Sequence, residues 1–458
     1  MKTYSPSAAL KKALETALLL GFLLVIASPV SADEQPIDLF SGFDDQAPAA
    51  RQEESDRDTP SFLSGFAKLA AAYNTDHGQP LPGQTDWRGL SKLRGELLLE
   101  TKQKLSGWQF FVSGKGFYDL AYESNGRSGY AARVLADYED EVELREAWLQ
   151  GALLPSLDLK LGRQIVAWGR SDNFRVTDIL NPLDNREPGL TDIEDLRLPL
   201  AMTKLNFYLG DWSLDLIGIH EHRYDKNPPF GHDFYPYPVP PPEEIRPAHT
   251  MENTELALDL TGSFSGWDLS IYYADTFNDQ PNLVPSLPPV SEHRRLKIFG
   301  TAASIARGNM LIITEAAHLQ GLGFLADFNS DYERTDLLAG FEYSGFSETV
   351  INCDYLFRRL HGYNNMIKAS PESPLENDEQ LALRISRNFL HETVSLGGLA
   401  MVFGDRGQRG ALERLTLTYD PADNWSITAG AVFYESGDTP ATAIGDKDRV
   451  FMEIRYDF

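Results

Sequence analysis

One run of residues in this sequence has the types and spacing of a possible metal site. His220-Glu221-His222 is followed by His232 and Asp233, and imidazole and carboxylate groups are common ligands of transition metals. The run does not have the spacing of the helical zinc-protease motif. Histidines at the base of a loop are also more often rim residues than ligands. The sequence therefore predicts no metal.

Other signals of catalysis or of a cofactor are weak. The sequence contains no nucleophile elbow and no phosphate-binding loop. Cys353 is the only cysteine, which excludes an internal disulfide and the thiolate-based metal and haem-attachment motifs. We expect neither an enzyme nor a bound cofactor. A surface hydrolase with a Ser/His or Asp/His site stays open as an alternative.

The segment from Arg170 to Leu200 has a composition unlike that of a surface loop, since it mixes many charges with many apolar side chains. Exposed loops are seldom so apolar, because nothing buries those side chains. A loop folded into the lumen of a barrel would bury its apolar residues against the wall and present its charges to the pore. The charges that we expect at such a constriction are Arg170, Arg175, Asp178, Asp184, Arg186, Glu187, Asp192, Glu194, Asp195 and Arg197.

The elements around this segment are predicted to be strands of about ten residues each, in which apolar and polar residues alternate. In LRGELLLETK, for example, Leu97 and Leu99 oppose Glu96 and Glu100. Alternation with this length is typical of tilted transmembrane strands with one face to lipid and one to the lumen. The residues that we expect to face the lumen are Arg94, Glu96, Glu100, Lys102, Lys115, Arg384, Arg414, Glu453 and Arg455. Their signs are mixed, although the acid excess in the loops favours cations.

The connections between strands alternate between short turns and longer polar segments. Short turns occur at KLSGW, LLPS, LGDW, FSGW, ARGN, YSGFSE, NFLHE and DPADNW, and four of them are followed by Trp108, Trp212, Trp267 and Trp425. This asymmetry, with an aromatic girdle at one interface, is typical of outer-membrane barrels. We count about eighteen strands within residues 62–458. A soluble propeller or β-helix is the alternative, but no four-strand repeat is visible.

The composition and the N-terminus indicate an exported protein. The 458 residues carry 41 Lys+Arg against 67 Asp+Glu, a charge balance that argues against nucleic acid as a partner. Basic residues, a short apolar run and Val30-Ser31-Ala32 predict a signal peptide over residues 1–32, cleaved near Ala32. Residues 33–61 are strongly acidic and read as a solvated periplasmic arm.

Two motifs carry a resemblance to a known family. GRQIVAWGRSDNF, followed by NPLDNREPG, resembles a family of uncharacterised proteobacterial outer-membrane barrels that is similar in layout to alginate-export and other porin-like barrels. The resemblance is sharpest over Leu159–Leu200 and implies a passive channel or an accessory barrel. The chain also ends in RVFMEIRYDF, whose Tyr456 and terminal Phe458 resemble the signal that outer-membrane proteins present to their assembly machinery.

The sequence as a whole predicts an all-β protein, a transmembrane antiparallel up-and-down β-barrel with a long loop inside it. We expect it in the outer membrane of a Gram-negative bacterium, as a channel for small hydrophilic solutes or ions. Its expected partners are outer-membrane lipids, the assembly machinery and the solutes. A scaffold that anchors or ensheathes a periplasmic or surface protein, such as an exported electron carrier, is the alternative.

Overall fold

The protein folds as a single closed ring of antiparallel strands. A computed structural model describes residues 63–81, 83–191, 195–248, 250–438 and 444–458, so the predicted signal peptide and acidic arm lie outside the described residues. The strands are β1 (Ser64–Asn74), β2 (Gly89–Leu105), β3 (Trp108–Asp119), β4 (Asp140–Leu154), β5 (Leu157–Gln164), β6 (Leu200–Leu209), β7 (Trp212–Ile219), β8 (Glu243–Ile245), β9 (Glu255–Phe264), β10 (Trp267–Phe277), β11 (Asn282–Val284), β12 (Val290–Glu292), β13 (Arg295–Arg307), β14 (Met310–Phe324), β15 (Asp327–Phe346), β16 (Thr349–Leu360), β17 (Asn377–Phe389), β18 (Val394–Phe403), β19 (Ala411–Ala422), β20 (Trp425–Glu435) and β21 (Arg449–Asp457).

Eighteen of these strands form the barrel, as predicted, and each pairs with its neighbours in chain order. The short strands β8, β11 and β12 form a separate three-stranded sheet within the long connections. In the part of the chain that the structure describes, three short helices also lie in the connections: α1 (Ala121–Ser124), α2 (Ala132–Tyr138) and α3 (Asn365–Lys368). No helix among the described residues is long and apolar enough to cross a membrane.

The first and last strands close the ring. β1 and β21 pair antiparallel, from Phe66 opposite Asp457 to Asn74 opposite Arg449. At the end of this ladder the N–H of Gly65 donates to the carbonyl of Phe458, and the N–H of Phe458 donates back to Gly65, both at 3.0 Å. Closure satisfies the backbone groups that an open sheet would expose to lipid.

The outer surface of the ring is apolar because each strand alternates as the sequence predicts. On β21, Val450, Met452 and Tyr456 are exposed on the outside, whereas Arg449 is buried on the inside. On β2, Leu97 and Leu99 point outwards while Glu96 is buried inside. An apolar exterior around a polar interior is the arrangement that a lipid bilayer requires.

The connections differ at the two ends of the barrel. All eight predicted short turns join consecutive strands at one end, and most of the connections at the other end are long. β14 and β15 are the exception there, since Leu325 and Ala326 alone join them. At the short-turn end, aromatic rings pack together, with Phe264 stacked on Trp267 at 4.2 Å and Trp425 near Tyr456 at 4.9 Å between ring centroids. These contacts agree with the predicted aromatic girdle.

We predict that the aromatic side chain of Phe458 contributes to barrel assembly beyond the packing contacts that it makes. Phe458→Asp is expected to reduce the amount of folded, heat-modifiable barrel in the outer membrane, because the last strand must close the ring. Phe346→Asp is the matched control: Phe346 also lies at the short-turn end and is exposed to the same extent, 42%. Equal loss of folded protein in both variants, measured by the gel shift on heating, would show that the terminal position has no special role.

Candidate functional site

The segment between β5 and β6 lies inside the barrel, as the sequence predicts. We call residues 165–199 the lumen loop. Its Phe174, Val176 and Leu180 are buried in a cluster with inward-facing wall residues such as Met202 and Ile298. The apolar side chains that look out of place in a surface loop are therefore the ones that hold this segment against the wall.

One end of the lumen loop is attached to β14 and β16 through buried carboxylates. Glu315 of β14 accepts hydrogen bonds from the backbone N–H groups of Arg170 and Ser171, at 2.6 and 2.9 Å, and from the hydroxyl of Thr177 at 2.8 Å. Asp354 of β16 accepts from the Ser171 hydroxyl at 2.8 Å. Charge-assisted bonds of this kind are about twice as strong as neutral ones.

The tip of the lumen loop, around Glu187, is attached to the opposite wall. Glu187 bonds to Lys92 at 2.5 Å and to Arg94 at 3.1 Å, both on β2. Burial opposes ionisation of Glu187, but the guanidinium of Arg94 and the ammonium of Lys92 outweigh it and hold the pKa of that carboxyl well below its usual range. β2 and β14 lie nine places apart in the ring of eighteen strands, so the loop spans the full width of the bore.

Further contacts tie the tip of the loop to neighbouring strands. Arg186 pairs with Asp184 at 2.6 Å and with Glu141 of β4 at 2.7 Å. On the other side, Tyr434 of β20 donates its hydroxyl proton to the carbonyl of Pro188 at 2.5 Å. The lumen loop is thus held from several directions and forms a fixed partition across the bore.

Three of the predicted constriction charges stabilise the loop itself. Asp178 accepts from Arg197 at 2.9 Å and lies 3.3 Å from Arg175, and it also accepts from the N–H of Trp168 at 3.2 Å. Asp178 and Arg197 are buried. Asp195 is exposed, whereas Asp192 and Glu194 lie outside the described residues. The constriction role of the whole set stays a prediction.

The residues predicted to face the lumen occupy the inner side of the wall. Glu96 lies 3.1 Å from Lys115 and 3.6 Å from Lys68, and Lys68 also approaches Glu453 at 3.7 Å. Glu100 and Lys102 share the face of β2 that carries Glu96.

Two arginines of that set contact the lumen loop, and a third, Arg455 of β21, makes contacts within the wall. Arg384 approaches the side-chain oxygen of Asn173 at 3.4 Å, and Arg414 donates to the carbonyl of Gly189 at 3.4 Å. Arg455 pairs with Asp457 at 2.6 Å and covers the ring of Phe66.

The histidine-rich run does not converge on one point. His220 bonds to the hydroxyl of Thr203 at 2.9 Å, and His222 bonds to Glu255 at 3.0 Å. His232 stacks on Tyr138 at 4.0 Å between centroids, and burial lowers its pKa to about 3, so that the ring is neutral. No group of three metal-ligating side chains occurs among the described residues.

The sequence reasoning missed how several residues organise the mouth of the barrel, among them Asp233, which it considered only as a possible metal ligand. Asp233 lies 2.7 Å from His77, 3.1 Å from Lys447 and 3.4 Å from Arg449. Lys92 and Glu315 were missed in the same way. Their partners are far away in the sequence, so no local pattern could have paired them.

A closed eighteen-stranded antiparallel barrel, crossed by an infolded loop that is attached to opposite walls, defines a porin-type outer-membrane barrel. The chain belongs to the family described as protein of unknown function (DUF1302), whose model matches residues 13–344. No curated protein matches the chain.

Several solved structures share the fold. OccAB1 of Acinetobacter baumannii superposes with a TM-score of 0.52 at 8% identity, over 86% of this chain and 96% of that one. OccK9 (OpdG) of Pseudomonas aeruginosa gives 0.52 at 13% identity, over 86% and 98% of the two chains. OccK1 (OpdK) of the same organism gives 0.51 at 9% identity, with the same coverage. These likenesses establish the fold and support the predicted porin-like layout.

We predict that Glu187→Gln releases the tip of the lumen loop. Breaking a buried ion pair on one side costs about 3 kcal/mol, so amide hydrogens near the tip, such as that of Leu190, should exchange roughly a hundredfold faster. Because the pKa of Glu187 is lowered in the folded protein, the wild-type protection is present at neutral pH and is lost only as the pH falls through that lowered pKa.

Hydrogen exchange followed by mass spectrometry measures this effect. Asp195→Asn is the control, since it removes a carboxylate from the same loop at an exposed position. If the two variants exchange alike at the tip, the pairs with Lys92 and Arg94 do not anchor the loop.

Proposed function

We propose that the protein is an outer-membrane channel through which small hydrophilic solutes or ions diffuse passively. The observation that carries this proposal is the lumen loop, which divides the bore between Glu187 at β2 and Glu315 at β14. A partition of this kind narrows a wide barrel to a constriction, and a constriction selects by size and charge. The porin-type neighbours agree with this reading.

The same loop disfavours the alternative of an ensheathing scaffold. A barrel that holds a second protein in its lumen needs an open bore, and here the lumen loop crosses the full diameter and is attached to both walls. A hydrolase has no specific observation in its favour.

The inner wall on one side is acidic, and this supports a preference for cations. On β9, β10, β13 and β14 the inward positions carry no Lys or Arg. Asp259 on β9 and Asp268 on β10 are half-buried there, and Glu342 on the nearby β15 has a similar exposure. Carboxylates on a low-dielectric wall raise the local cation concentration.

Removal of the loop tip should enlarge the pore. Leu183 and Arg197 form an isolated antiparallel bridge, so residues 184–196 can be replaced by a Gly-Asn-Gly turn without separating the remaining ends. We expect single-channel conductance in planar bilayers to rise severalfold, because conductance follows the open cross-section. The barrel should still fold, since its stability comes from the closed ladder.

The matched control replaces residues 285–289, the exposed tip between β11 and β12, with the same turn. A folded tip-deletion variant with unchanged conductance would remove the lumen loop as the constriction and, with it, the main support for a channel.

Neutralisation of the acidic wall should reduce cation preference. The triple variant Asp259→Asn, Asp268→Asn and Glu342→Gln is expected to shift the reversal potential in a salt gradient towards anions, with little change in conductance. The control neutralises Lys102, Lys160 and Lys204, lumen-facing lysines of β2, β5 and β6, which should shift the reversal potential the opposite way. An unchanged reversal potential in the first variant would show that these carboxylates do not govern selectivity.

A further inference from the structure

The barrel wall has a gap beside β4. β3 pairs with β4 along its whole length up to Asp140, but β5 pairs with β4 only from Ala147 to Leu154. The cause is the lumen loop, since the chain leaves the wall after Gln164 to enter the bore. Residues 140–146 of β4 therefore have a strand neighbour on one side only.

The free edge is sparsely bonded. Among the described residues, two side chains bond to the backbone of residues 140–146: Arg163 donates from Nη1 to the carbonyl of Leu144 at 2.7 Å, and the hydroxyl of Ser113 on β3 accepts from the N–H of Glu146 at 3.1 Å. Unpaired backbone groups are costly in hydrocarbon, and a free strand edge in a barrel is unusual for that reason.

The gap lies at the outer boundary of the membrane. β5 and β7 each contain eight residues, and at about 3.4 Å per residue with a tilt of about 40° they climb roughly 20 Å, less than the apolar band of about 25 Å. Next to the gap, Val142 is 91% exposed and Leu144 is also exposed on the outside. The outer leaflet therefore meets the gap directly.

Side-chain ion pairs close the gap on its inner side. We call residues 220–226 the seam segment; it follows β7 and runs behind β4. Lys226 bonds to Glu141 at 2.5 Å, Arg223 bonds to Glu143, and Glu221 bonds to Arg163 at 2.6 Å. All six side chains keep some solvent exposure. Ion pairs of this kind can exchange partners without disturbing the strand ladder.

Behind the seam lies a small cavity whose wall is rich in cations. Glu141 also pairs with Arg186 at 2.7 Å. Arg186 lines this cavity together with Trp87, the cations Lys92, Arg94 and Arg449, and the carboxylates Glu187 and Asp233. Because the cations outnumber the carboxylates, a group that replaces Glu141 on Lys226 and Arg186 meets a net positive charge deeper in the bore. An anionic group is therefore attracted to this cavity more strongly than a cationic group.

We propose that the gap between β4 and the seam segment is a lateral binding site for a membrane amphiphile with a hydrocarbon chain and an anionic head. The head group replaces the carboxylates of Glu141 and Glu143 on the cations of the seam, and the chain stays in the outer leaflet against Val142 and Leu144. β6 and β7 end level with β5, since Leu200 pairs with Gln164 and Ile219 pairs with Met202, so the gap is bounded by β4 on one side and by the seam segment on its inner side. The site does not depend on whether the axial pore conducts.

The test uses a fatty acid that carries a nitroxide next to its carboxylate and quenches tryptophan fluorescence on contact. The purified barrel is reconstituted in phospholipid vesicles, and the signal of Trp87 is obtained by subtracting a Trp87→Phe variant. In a Cys353→Ser background, Glu141→Cys with Lys226→Cys is bridged by a bis-methanethiosulfonate linker, which forms a reducible disulfide with each cysteine and releases methanesulfinate. We expect the bridge to abolish quenching of Trp87 and reduction to restore it.

The matched control is the pair Lys204→Cys with Asp215→Cys. Its charges also lie 2.5 Å apart, but β6 and β7 are already joined by their ladder. Bridging this pair should leave quenching unchanged. As a second variant, Glu141→Gln with Glu143→Gln should speed quenching, because the seam loses its internal carboxylates.

Two results would overturn the proposal. Quenching of Trp87 that is unaffected by the bridged seam would mean that the probe enters along the bore, and no quenching in any variant would mean that the probe does not bind. The potassium chloride conductance of the same vesicle-reconstituted protein, measured in parallel, reports on the proposed channel alone and separates failure of one proposal from failure of the other.

Discussion

The structure depends on the need to pair every backbone N–H and C=O group that meets lipid. A closed ladder of antiparallel strands meets this need, and the mutual bonds of Gly65 and Phe458 complete it. Once the ring is closed, the period of two along each strand divides the residues into a lipid set and a lumen set. The highly charged composition of the chain is compatible with a membrane because those charges lie in the interior, in the loops and outside the described barrel.

The lumen loop follows from the same constraint. A segment that leaves the wall must find partners for its own polar groups, and it finds them on the far side of the bore, where Glu315 and Asp354 are buried among apolar neighbours. Buried carboxylates need hydrogen-bond partners. The N–H groups of Arg170 and Ser171 bond to Glu315, and the side chains of Ser171 and Asn173 bond to Asp354, so the acids of the wall and the loop stabilise each other.

Because the chain turns into the bore, the wall also loses backbone pairing. β5 ends early, and the upper part of β4 loses a neighbour. The seam segment replaces backbone pairing with ion pairs, notably that of Lys226 with Glu141. The loop that narrows the axial path and the gap at the side of the barrel are therefore two results of one feature, the inward turn after Gln164.

The sequence by itself determined the barrel. The barrel could be predicted because its signals are local and can be recognised in the sequence alone. They are the alternation in segments such as LRGELLLETK and RVFMEIRYDF, the eight short turns and the girdle tryptophans. The apolar content of residues 170–200 was enough to predict infolding. Only the tertiary structure decided which wall the loop reaches, that Glu187 meets Lys92 and Arg94, that Asp178 and Arg197 are buried inside the loop, and that β4 has a free edge. Those contacts join residues far apart in the chain, and they are fixed by the curvature of the closed ring, which no local pattern encodes.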